Sequence, residues 1–259
     1  MTTTTTYPTR PVPDDLAAAA RAWAAPLIAA AGAGLRALYV YGSALGPGFD
    51  RAASDVNLLL VVEALPFDRL AALAVAVRQL PAPAEPGAAT GFRFAPLLLT
   101  TATVAHSADV FPVDFLDLRD RRALLAGEDV LAGLNVPLGN LRHQCEYELR
   151  SRLIGLRQAF LRAGGADGTA HMLVARAAGS SGSLFRHLLT LRGRPYPDAP
   201  EALARAVAEA YGIDPAGLDA PFAARKDAAV DEAAARRRLG AYLEALDQLV
   251  RAVDADPAR

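Results

Sequence analysis

The chain holds a single cysteine, Cys145, so it cannot close an internal disulfide, and a reducing cytoplasm is the expected compartment. Long apolar runs are missing as well. Stretches such as Leu16–Ala20 and Leu58–Val62 fall far short of the roughly 20 residues a membrane-spanning helix needs, so no membrane segment is expected. The threonine run near the start has neither an apolar core nor a small-residue cleavage site, and residues 1–11 read as a disordered tail instead of a signal peptide. An excess of one charge is also lacking: the net charge is −1, which speaks against a nucleic-acid partner for the chain as a whole.

What is abundant is apolar. A hydrophobic share of 53% excludes wholesale disorder, and 259 residues suffice for one large or two ordinary domains. Charge is uneven along the chain. Between Asn140 and Pro195 nine arginines stand against three acids, Glu146, Glu148 and Asp167. Two readings stay open for that segment: a solvated helix surface in an arginine-rich, lysine-poor chain, or an arginine wall that holds phosphate oxygens bidentately.

Pattern divides the chain in two. An alanine-rich helix is expected from Asp14 to Ala31, stopped by Gly32 and Gly34, and a strand over Leu35–Tyr41. A glycine-containing loop, 44–54, leads to a nearly all-apolar strand, Val56–Val62. Phe67–Leu80 has helical spacing, Pro81–Gly87 reads as an exposed loop, and Phe92–Thr100 and Val110–Leu118 are the third and fourth strand candidates, with a short helix between them. After Arg119 no strand is expected. Asn140–Arg162, Ala170–Leu191, Pro200–Tyr211 and Ala220–Val253 read as helices, and Leu141, Cys145, Leu149, Leu153, Leu156 and Phe160 mark a buried stripe on the first. The expected class is α+β: an α/β domain over 12–120, then a helical bundle over 139–254.

The chemistry concentrates in Leu38-Tyr39-Val40-Tyr41-Gly42-Ser43 and, after eleven intervening residues, Asp55-Val56-Asn57. Glycine lets the backbone approach a phosphate closely, and a serine hydroxyl with successive N–H groups at a tight turn suits an anion. Residues i and i+2 of a strand project to one face, so Asp55 and Asn57 should both point toward that turn. Asp114, inside what reads as an apolar strand, is the candidate for a further metal ligand or a proton acceptor.

This constellation resembles the polymerase-beta-like nucleotidyltransferases, in which a strand ends in Gly-Ser and the next carries two metal-binding carboxylates one residue apart. Asn57 stands at the second of those carboxylate positions. The resemblance implies transfer of a nucleoside monophosphate from a nucleoside triphosphate to a hydroxyl-bearing acceptor, a small molecule or a protein. It implies Gly42, Ser43 and Asn57 as nucleotide contacts, Asp55 and Asp114 as metal and catalytic carboxylates, and Mg2+, or Mn2+ in its place, as the ion. Asn57 opens the alternative of a relative that keeps the fold and binds a nucleotide or a partner without catalysis, because an amide brings a carbonyl oxygen but no charge to the ion. The helical half is similar in layout to the bundles of small-substrate members. His106, His143, His171 and His187 lack the spacing of a zinc site, and the glycine-serine pairs at Gly179 and Gly182 read as features of a helix.

Overall fold

The computed structural model describes residues 9–47, 49–51, 54–80, 91–227 and 230–255. Residues 1–8 of the expected tail and the Pro81–Gly87 loop lie outside them; residues 9–11 of that tail are described, and the Arg10 N–H donates to the Arg122 carbonyl at 2.7 Å. The chain separates into two compact units, Met1–Val136 and Pro137–Arg259.

The first unit starts with α1 (Asp14–Ala31), whose buried residues Leu16, Ala20, Ala24, Leu27 and Ala31 recur at spacings of three and four. By length and composition α1 could cross a membrane, yet those residues pack into the core of the sheet. It ends at Gly32, where φ is +53°, a backbone conformation that favours glycine. The strands are β1 (Leu35–Tyr41), β2 (Val56–Val62), β3 (Phe94–Thr100) and β4 (Arg122–Gly127), in the order β3-β2-β1-β4. Strand β1 is antiparallel to both β2 and β4, while β2 and β3 run parallel. Helix α2 (Phe67–Val77) follows β2, and the short α3 (Thr101–His106) and α4 (Pro112–Asp120) lie between β3 and β4.

Alternation gives the sheet two different faces. Leu38, Val40, Leu58, Leu60, Ala123 and Leu125 form one core with α1 and with Leu73 and Ala76 of α2. Each fully buried leucine there contributes about 1.5–3 kcal/mol of transfer free energy. Trp23 extends this core, its ring centroid 5.2 Å from that of Phe94. The opposite face carries Tyr39, Tyr41, Asn57 and Leu59, with Tyr39 facing Leu59 and Tyr41 facing Asn57 across the β1–β2 pair.

Two expectations need correction in this unit. The segment expected as the fourth strand is helix α4, and a strand, β4, does follow Arg119. Pro112 occupies the first turn of α4, where its fixed φ and missing N–H suit a helix start. Buried Val113, Leu116 and the pair Phe115 and Leu118 repeat at intervals of three, which satisfies a helix and not a strand. Arg122 opens β4 fully buried. Its guanidinium holds Asp129 through Nε at 2.9 Å and Nη2 at 2.7 Å, and the Tyr39 hydroxyl donates to the same carboxylate at 3.1 Å.

The second unit contains α5 (Leu141–Arg162), α6 (Thr169–Leu191), α7 (Pro200–Tyr211), α8 (Pro215–Lys226) and α9 (Glu232–Asp254). The helix expected over Ala220–Val253 is thus two helices. Asp231 explains the restart: its carboxylate accepts the N–H of Ala234 and caps α9. Gly217 lets α8 lie against α9, since a Cβ there would fall 2.6 Å from the Ala241 carbonyl oxygen. On α5 the buried stripe holds for Leu141, Cys145, Leu149 and Leu153. Several arginines of the basic segment are spent within this unit: Arg142 and Arg150 on Glu146, Arg157 on Asp247, Arg194 on Glu209. Arg152 reaches hydroxyls instead, those of Ser180, Ser181 and Tyr242.

Candidate functional site at the Gly42–Ser43 turn

Strand β1 ends at Tyr41, and the chain enters a single tight helical turn over Gly42–Leu45. Gly42 has φ +80°, so its identity is dictated by the turn. A Cβ on it would stand 3.2 Å from the Asn57 side-chain nitrogen, which shows how closely the amide of β2 lies against the turn. The Gly42 N–H donates to the Arg121 carbonyl at 2.9 Å, tying the turn to the chain that enters β4. The Arg121 guanidinium is buried against the same turn: its Nε lies 3.4 Å from the Gly42 carbonyl, and its Nη2 fills the space where Gly46 lacks a side chain. Ser43 is exposed.

Asp55 immediately precedes β2 and is exposed. Its Oδ1 accepts a hydrogen bond from Arg93 Nε at 2.9 Å. The parallel register explains the pair: Val56 faces Phe94 and Asn57 faces Ala95, which sets Arg93 beside Asp55. The Val56 N–H donates to the Arg93 carbonyl at 2.7 Å, which pins the register at that end.

Asp114 occupies the first turn of α4, not a strand. With Asp117, one helical turn on, it acts on Tyr41. Burial pushes the Tyr41 hydroxyl above its ordinary pKa, and the charges of Asp114 and then Asp117 push it further the same way. Asp117, three residues from Asp114, would face away from it on a strand but shares its face on a helix. Gly42, Asn57 and Tyr41 are therefore contiguous, with the charges of the α4 carboxylates felt at Tyr41 and the Asp55–Arg93 pair at the β2 end.

No family model matches the sequence, and no curated protein matches it. Among solved structures, the spectinomycin adenyltransferase AAD(9) from Enterococcus faecialis, determined with ATP and spectinomycin, superimposes with a TM-score of 0.56 over 89% of this chain and 96% of that one, at 12% identity. The fold is that of the nucleotidyltransferases. A nucleotidyltransferase-like protein from Exiguobacterium sibiricum aligns over 91% of this chain and 74% of its own at 12% identity, with a TM-score of 0.34, too loose a likeness to bear on the fold.

Within this nucleotidyltransferase fold the donor set does not suit a protein-held pair of magnesium ions. Among the described residues no three His, Cys, Asp or Glu side chains come together as a cation site. The Asp55 carboxylate is engaged by a guanidinium, residue 57 is an amide, and Ala95 stands beside it on β3. Arg93, Arg121 and Tyr41 are site residues that sequence reasoning did not single out, and Asp117 read as an element-end residue. Only strand register and the helical state of α4 bring them in; the sequence signal was the spacing of three between Asp114 and Asp117 behind Pro112.

Proposed function

We propose that the protein binds a nucleoside triphosphate at the Gly42–Ser43 turn, as a nucleotidyltransferase-fold protein that has given up the protein-held two-ion clamp. The observation that carries this reading is the Asp55–Arg93 ion pair beside Asn57: the carboxylates that should gather metal are replaced by one neutralised acid and one amide. What supports nucleotide binding is the left-handed glycine at the turn, the exposed Ser43 and the Arg121 guanidinium behind it. The AAD(9) structure, of the same fold, contains ATP.

A second reading is favoured by the extent of that likeness, which spans both units of this chain. It is transfer of a nucleoside monophosphate to a hydroxyl of a small molecule, with release of pyrophosphate. It requires Asp55 to leave Arg93 and a carboxylate, Asp114 being the candidate, to accept the hydroxyl proton. In the cytoplasm both readings use the same abundant triphosphates.

The deciding experiment is a thermal-shift and turnover screen of the four ribonucleoside triphosphates with Mg2+, with Mn2+ and with EDTA. Binding without pyrophosphate release across a panel of hydroxyl acceptors supports the binding protein. Metal-dependent pyrophosphate release supports the transferase, and no stabilisation by any nucleotide removes both.

A further inference from the structure

We infer that Arg93 takes the place of a divalent cation at Asp55, so that nucleotide binding at this site is independent of metal. The inference rests on the proposed nucleotide-binding reading and names how the phosphates are held.

Three observations carry it. First, the pair is placed by register and not by chance of a long side chain. Arg93 lies on the strand parallel to β2, its own carbonyl bonded to the Val56 N–H, and its Nε meets Asp55 Oδ1 at 2.9 Å. Second, the pair is open to water on its acidic side: the Asp55 side chain is 57% exposed against 22% for Arg93, so its contribution to stability is modest. Third, the pair continues into the turn. Asp55 is two residues, about 7 Å of strand, from Asn57, whose amide lies against Gly42.

A guanidinium is permanently charged and presents donors on more than one edge, so it can bridge a carboxylate and a phosphate as a metal ion would. Arg121, buried behind Gly42 and Gly46, sets a second guanidinium at the same turn. Arg93 thus sets a permanent cation where a metal-dependent site recruits one from solution.

Calorimetric titration of the full chain with ATP, and separately with inorganic tripolyphosphate, in EDTA and in Mg2+, tests this. Wild type should bind ATP in EDTA with an affinity within about threefold of that in Mg2+, a difference below 1 kcal/mol. Arg93→Ala should lose about tenfold or more in EDTA, the effect of one charge-assisted bond, and should regain part of it in Mg2+ once Asp55 is released. Should Arg93→Ala fail to fold, Arg93→Gln, which keeps most of the bulk, should show the same loss, while Arg93→Lys should retain metal-independent binding. Tripolyphosphate should follow the same order, because the contact is to phosphate. ATP binding by wild type only in Mg2+, or unchanged binding in EDTA by Arg93→Ala and Arg93→Gln, overturns the inference and leaves the nucleotide reading standing. Absence of ATP binding in both buffers overturns both.

Discussion

The side-chain nitrogen of Asn57 lies 3.2 Å from the point where Gly42 would carry a Cβ. The turn that follows β1 and the amide on the second residue of β2 are therefore fitted to each other. Gly42→Ala sets a methyl against that amide and forces a non-glycine residue to φ +80°, at a cost of about 1–3 kcal/mol. Denaturant unfolding should show that loss, together with weakened ATP binding. An unchanged midpoint would mean the turn relaxes freely.

Asn57→Asp adds a carboxylate but leaves Asp55 engaged by Arg93. The single variant should gain little Mg2+ affinity, whereas Asn57→Asp combined with Arg93→Ala presents two unpaired carboxylates one residue apart and should bind Mg2+ or Mn2+ measurably. Metal titration by calorimetry checks this. Equal gains in the single and double variants would show that Arg93 does not compete with metal.

The Arg122–Asp129 pair is bidentate, and its arginine is fully buried. Burial works against the Asp129 charge, but the Arg122 hydrogen bonds and charge, with the Tyr39 hydroxyl, hold the carboxyl below the usual carboxylate range. Removing the acid strands a fully buried guanidinium, so Asp129→Ala should cost about 3–5 kcal/mol near neutral pH. A carboxyl lowered in the folded state stabilises fully above its unfolded pKa, about 3.9. The contribution then falls away as pH drops through the folded value. Asp129→Asn should therefore differ most from wild type above about pH 5 and converge toward it in acid, as followed by urea unfolding at several pH values.

Cys145 sits on the buried stripe of α5, and burial, with Glu148 nearby, pushes its thiol up to about 12. A thiol reagent at pH 8 should leave the native protein unmodified and label it once denatured, because the thiolate is the reactive form. Rapid labelling of the native chain would show that α5 opens locally.

Much of the first unit could be read from sequence because its signals are local. The Ala-rich helix before Gly32, the β-branched and aromatic strand before Gly42, and the apolar run after Asn57 each carry their own periodicity. The placing of Gly42 and Asn57 together followed from period-two projection. The segment 110–118 was misleading because its short apolar run alternates like a strand over Val113–Phe115, while Pro112 and the spacing of three favour a helix. Strand β4, Arg-Ala-Leu-Leu-Ala-Gly, has no β-branched or aromatic residue, and only pairing with β1 makes it a strand. Arg93 was invisible as a site residue for a related reason: what sets it beside Asp55 is a parallel register between segments more than thirty residues apart.

The most direct test of the account is a crystal structure of the chain grown with ATP in EDTA. The triphosphate should lie against Gly42 and Ser43, with a phosphate oxygen on the Arg93 guanidinium. A nucleotide bound elsewhere on the chain, or a triphosphate at the turn held away from Arg93 with the Asp55 pair intact, would contradict it.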